Sequence, residues 1–202
     1  SILYFLLLIC LYILEFVVSY NKFIDLRSYV GYSITQYEIL SSLMYCKYFL
    51  TEAVLAQNPS YRIYDTRYNN NLEYINAMLD QLRKIRESIY INLGKFSEPE
   101  KIGTEFAEYT QKKQLLIRML VAHEETNKTV PFWSGINQIP TSIFSIAKVE
   151  NNITDINMQN RNVYDLMMNL INDYFVGWKD ITTLVIQFIE GNSKLNFICI
   201  IL

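Results

Sequence analysis

From Ser1 to Leu14 the chain carries neither a charge nor a helix breaker, and after Glu15 the apolar run resumes through Phe16, Val17 and Val18. A helix that is apolar on every face needs burial all round, and ~20 apolar residues are what crossing a bilayer takes. At the other end Leu195 to Leu202 (LNFICIIL) stays apolar to the last residue. The pattern predicts a transmembrane helix over 1–20, an extramembrane segment over 21–194, and the start of a second transmembrane helix over 195–202. The first run lacks the basic flank and small-residue cleavage site of a signal peptide, so it reads as an internal span of a longer membrane protein.

Between the apolar ends the period is helical. Val30, Ser33, Tyr37, Leu40 and Met44 are three and four apart, with Leu43, Leu50 and Val54 widening the stripe, and Pro59 is the first proline. One helix therefore runs from the membrane to about Gln57, where Asn58-Pro59 ends it. After a polar, aromatic link, Asn70 with Glu73 forms a capping pair. Leu72, Ile75, Leu79, Leu82, Ile89 and Leu93 then follow at heptad spacing, with Arg86 in an aliphatic slot, and Gly94 closes this second helix. Ser97-Glu98-Pro99-Glu100 is a capping box with proline in the first turn. It predicts a third helix through Ile102, Phe106, Tyr109, Leu116 and Leu120 to about Thr126.

Asn127 to Pro140 holds two prolines and interrupts the pattern. A short helix is expected over 143–149 and irregular or loosely helical chain over 151–162. A last helix begins near Val163 and carries Met167, Leu170, Tyr174, Ile181, Leu184 and Phe188, with Gly177 in its seam to admit Trp178 or a neighbour's bulky side chain and a weak point at Gly191-Asn192. Four long helices with a short second link make an all-α, antiparallel up-down-up-down four-helix bundle, its first and last helices continuing into lipid. The links 58–69 and 127–162 would meet at the tip farthest from the membrane.

Composition adds little to this picture. Six glycines and four prolines in 202 residues favour long helices over turn-connected strands. A net charge of −2 with both signs interspersed argues against a nucleic-acid partner, which needs a basic face. Cys10 and Cys199 lie in the apolar ends and Cys46 stands alone between them, so no disulfide forms within the extramembrane segment.

Candidate chemistry is concentrated at the expected tip. Tyr61, Arg62, Tyr64, Arg67 and Tyr68 face Phe132 and Trp133 there, a set that could hold an anionic or aromatic small molecule or a protein ligand. The same residues would serve equally as packing and solvated loop. Asn127-Lys128-Thr129 and Asn152-Ile153-Thr154 are N-glycosylation sequons, which an Asn-rich chain also produces by chance. If used, they put the segment outside the cell or in a lumen. Glu15 near the membrane interface suits snorkelling or pairing with Lys22 better than an ion pathway. His123, the single histidine, falls on the seam if the heptad continues from Leu120 and has no companion ligands. No phosphate loop, metal motif or nucleophile triad occurs, so no cofactor, metal or catalysis is expected in this segment.

Tyr45 to Asn58 (YCKYFLTEAVLAQN), the Tyr-rich link Tyr61 to Tyr68, and Asn71 to Ile75 (NLEYI) resemble extramembrane loops of large multi-pass ciliate proteins. Those proteins are related to the tiny-macrocyst family and often carry PAS domains. The resemblance implies a sensory or signalling role, with nucleotide or phosphotransfer chemistry elsewhere in the parent protein. The layout also resembles the helical ligand-sensing domains of membrane receptors. The expected partners are the lipid bilayer, a small molecule or protein at the tip, and a second copy of the chain as a homodimer. A structural assembly module, or the soluble side of a transporter or channel, is the competing reading.

Overall fold

The computed structural model describes residues 2–96, 104–148 and 153–201. Helix α1 (Ile2–Leu55) is a single rod of 54 residues, about 80 Å at 1.5 Å per residue. From Tyr4 to Tyr20 it is exposed on every side. Its last third buries Ile39, Leu43, Cys46, Leu50 and Ala53, which recur every three or four residues on one face. The stripe chosen from the sequence was partly the wrong one: Leu43 and Leu50 point inward, whereas Val30, Tyr37 and Met44 point outward.

Helix α2 (Asn71–Gly94) starts as expected. The Asn70 side chain accepts from the Glu73 backbone N–H at 2.8 Å, and the Glu73 carboxylate accepts from the Asn69 N–H at 3.0 Å. Ile75, Met78, Leu79, Leu82, Ile89 and Leu93 are buried, while Leu72 is exposed. Arg86 turns aside and lays its guanidinium over the Phe144 ring, 4.8 Å from the centroid. Contacts of Glu52 with Tyr74, Ser42 with Ser88 and Tyr32 with Phe96 run in opposite sequence order, so α1 and α2 are antiparallel.

The third long helix is not there. The capping box and Ile102 lie outside the described residues, and helix α3 spans only Thr104–Lys112. Strands β1 (Gln114–Val121) and β2 (Glu124–Pro131) follow as an antiparallel hairpin with Val121 opposite Glu124. Leu115, Ile117 and Met119 alternate inward, so Leu116 and Leu120, spaced like a helical seam, lie on the outer side. The two-residue turn is Ala122-His123, both at positive φ (50° and 69°). His123 is thus an exposed turn residue, not a seam residue. The fold is mostly helical with a two-stranded sheet rather than all-α.

Helix α4 (Phe132–Ala147) occupies the place expected of the third helix, running through Pro140 without interruption and antiparallel to α2. Arg83 reaches the Ala147 carbonyl at 2.8 Å near one end, and Trp133 lies by Gly94 near the other. After a 3-10 turn at Ile153–Asp155, helix α5 (Arg161–Asn169) leads through a π-helical segment, Leu170–Tyr174, into helix α6 (Phe175–Ile201). The π turn holds more residues than an α turn. It keeps Leu166, Leu170, Tyr174 and Trp178, spaced by four, on one buried face. α6 continues as helix through the weak point expected at Gly191 and Asn192. Gly177 makes room as foreseen: a Cβ there would sit 3.1 Å from both Leu115 Cδ2 and Phe132 Cε2. α1 packs on α2 and on α5 and α6, α2 packs on α4, and α4 packs on α5, with the hairpin laid over α5.

Candidate functional site

Where α2 ends and α4 begins, aromatic rings converge from the end of α2, from α4 and from α6. Trp178 of α6, fully buried, has Phe96, Phe132 and Trp133 around it at centroid separations of 5.4, 5.5 and 6.1 Å, all steeply tilted. Edge-on packing of this kind favours a fixed arrangement. The Trp178 indole N–H finds no acceptor among the described residues. Beside the cluster opens a groove of about 580 Å³ lined by Tyr90, Ile91, Phe96 and Trp133, with the amides of Gln111 and Asn137 among the lining groups. That volume accommodates a small organic molecule, and apolar walls with a few polar groups are the usual make-up of such sites. Among the described residues no charged side chain lines it. With these walls the groove suits a neutral, partly apolar ligand.

The end of α3, which supplies Gln111 to the groove, is tied to α6. Tyr109 donates to Asp180 Oδ2 at 3.0 Å and Lys113 to the same oxygen at 3.1 Å. The Tyr109 hydroxyl beside Lys113, with Asp180, holds the ammonium pKa above its ordinary value despite partial desolvation. Displacement at the groove would therefore be felt by α6 through Trp178 and through Asp180.

A second polar feature lies deeper. Asp165 is buried between α5 and α4, with Asn169 Nδ2 donating to Oδ1 at 2.7 Å and Gln138 Nε2 donating to Oδ2 at 3.2 Å. Burial pushes the Asp165 carboxyl up to about 6, against the opposing pull of the Asn169 bond and Arg161. Asn169 in turn binds the backbone of Arg118 on β1. The node joins helix, π segment and hairpin. Among the described residues no group of three His, Cys, Asp or Glu side chains is placed to hold a metal ion.

The set expected at the tip is divided. Tyr61 donates to Glu52 Oε2 at 3.0 Å, and Tyr74 donates to the same oxygen at 2.6 Å, so the carboxylate pins the link to both helices. Arg67 forks onto Asp65 through Nε and Nη2, and its guanidinium also lies 5.7 Å from the centre of the Tyr68 ring. Its charge is already matched. Arg62 is exposed, and Tyr64 is 88 % exposed. Trp133 is not with them: it lies by Gly94, about 30 Å along α2 from Tyr74 at 1.5 Å per residue.

Asn127 stands exposed on β2, whereas Asn152 lies outside the described residues. Glu15 is exposed on the apolar part of α1. Sequence reasoning missed the roles of Tyr90, Gln111 and Asn137, which carry no local signal. Asp165 and Asn169 did leave one, a polar pair four apart threaded between Leu166 and Leu170. No family model matches the chain, and no curated protein or solved structure matches it.

Proposed function

We propose that this chain is the extracytoplasmic, sensor-like helical domain of a multi-pass membrane signalling protein, with ligand taken in the groove beside Trp133. The observation that carries the reading is the continuity of α1. Its most apolar window has mean hydropathy 1.8 with no part buried, and it is the one helix among the described residues long and apolar enough to cross a membrane. The same rod then supplies Ile39, Leu43, Cys46 and Leu50 to the core. A helix that is lipid-facing at one end and core at the other transmits a small slide or rotation between the two. α6, which carries Trp178, would be the opposing element.

Asn127 stands on an exposed strand where a glycan could be attached, and the likeness of 45–58, 61–68 and 71–75 to extramembrane loops of large multi-pass ciliate proteins implies a sensory or signalling role. The bundle needs no catalytic part in this role. The uncovered outer face of α1 favours, as a second reading, an assembly module of a membrane complex.

Substitution in the parent protein tests the site. Asn137→Lys, at an exposed groove position, should abolish the ligand response and leave helicity intact. Tyr64→Glu at the far tip should leave the response unchanged. The reverse pattern would return the site to the tip.

A further inference from the structure

The outer face of α1 differs from that of its neighbour. A surface helix presents charge to water on the side away from the core, and α2 does so with Glu73, Asp80, Lys84 and Glu87. On α1 the exposed outer residues from Val30 to Leu55 include Val30, Ile34, Tyr37, Met44, Tyr48 and Leu55, with Glu38 as the one exposed charge among them. The apolar positions keep a seven-residue repeat; the remaining slots hold Ser41 and Thr51, both half-buried, with the Thr51 hydroxyl 3.7 Å from Met167 Sδ of α5. A straight helix drifts ~20° per heptad against such a repeat. Lipid or a flat surface has no use for that spacing; a second helix wound alongside does.

We propose that two copies of this chain pair in parallel along this row, α1 against α1, each residue meeting its own counterpart. The orientation rests on the membrane reading above: two copies rising from one bilayer on the same side present identical rows at identical heights. A twofold contact of this sort is self-complementary and closed. The exposed parts of these side chains and of Phe23 and Tyr45 beside them amount to roughly 800 Å² per chain, what a standard interface takes from each partner. Ligand-driven movement of α6 against a paired α1 would then alter the angle between two receptors.

The experiment is oxidative cross-linking of the full chain in phosphatidylcholine vesicles, in a background with Cys10→Ser and Cys199→Ser; Cys46 is fully buried. Copper-phenanthroline is the oxidant that joins two thiols. Ile34→Cys, Tyr37→Cys and Met44→Cys should give disulfide-linked dimer at least ten-fold faster than Lys84→Cys on the outer face of α2. Adding Met44→Glu should slow linking of Tyr37→Cys at least five-fold, with helicity unchanged by circular dichroism. Equal linking at all four positions, no linking, or linking only to a different protein overturns the pairing. Flotation of the same samples separates the two claims. Chain that floats without linking sinks the dimer alone, and chain that does not float sinks the membrane reading with it.

Discussion

The side-chain amide of Asn169 stands in for a β-strand against Arg118. The Arg118 N–H donates to Asn169 Oδ1 at 2.8 Å, and Asn169 Nδ2 donates to the Arg118 carbonyl at 2.8 Å. Both main-chain groups of Arg118 therefore point away from β2, toward α5. A helix side chain covers what would otherwise be an open edge.

Asn169→Asp removes the donor to the Arg118 carbonyl and sets a second carboxyl beside buried Asp165. Leaving buried polar groups unmatched costs ~1–3 kcal/mol each, so denaturant unfolding should show a loss of about 2–4 kcal/mol. A loss below about 0.5 kcal/mol would mean the edge is satisfied by water.

Asp165 gives stability a pH dependence of definite sign. Its folded carboxyl sits at about 6 against an ordinary value of 3.8, so the folded state holds this proton more tightly. The contribution is fully present below about pH 4 and is lost as pH rises through about 6, on the order of 2–3 kcal/mol at 1.36 kcal/mol per unit. Asp165→Asn should flatten the stability profile between pH 4 and 7 relative to the parent chain. The two profiles staying parallel would count against a strained carboxylate.

The hairpin turn can be improved. A two-residue turn with both φ positive wants Asn-Gly, and Ala122 and His123 hold it at φ 50° and 69° instead. Ala122→Asn with His123→Gly should raise stability by about 1 kcal/mol, the cost of a non-glycine residue in the left-handed region. Thermal melting of the double variant reads this directly, and an unchanged or lower midpoint would contradict the turn assignment.

Two glycines should respond oppositely to alanine. At Gly177 the new methyl meets the buried Phe132 ring at 3.1 Å, whereas at Gly31 nothing lies within 4 Å. Overpacking costs ~1–3 kcal/mol and a helical Gly→Ala change returns up to ~1 kcal/mol. Gly177→Ala should thus destabilise by about 1 kcal/mol and Gly31→Ala stabilise by about as much. Equal shifts in urea midpoint would show that Gly177 is not the contact point of α6 with the hairpin.

The chain showed its helices best where period, cap and breaker agreed. α1 and α2 end within a few residues of expectation because Asn58-Pro59, Asn70 with Glu73, and Gly94 are local signals. The hairpin was illegible for two physical reasons. Leu115 to Val121 is nearly continuous in apolar residues and fits either period, and Ala122-His123 lacks the residues that announce a turn. Pro140 was misread as a stop, although α4 runs through it. The tip set is divided because α4 begins at Phe132, so Trp133 lies at the start of a helix instead of in a link beside Tyr61. The groove unites residues from α2, α4 and the end of α3, which only tertiary packing brings together.

The membrane-anchored sensor reading requires that the apolar third of α1 reside in lipid. Flotation of the chain with phospholipid vesicles after a wash at pH 11 measures this. The prediction is that the chain rises with the lipid and is released only by detergent. Recovery from the bottom of the gradient as a lipid-free, monodisperse species would contradict it.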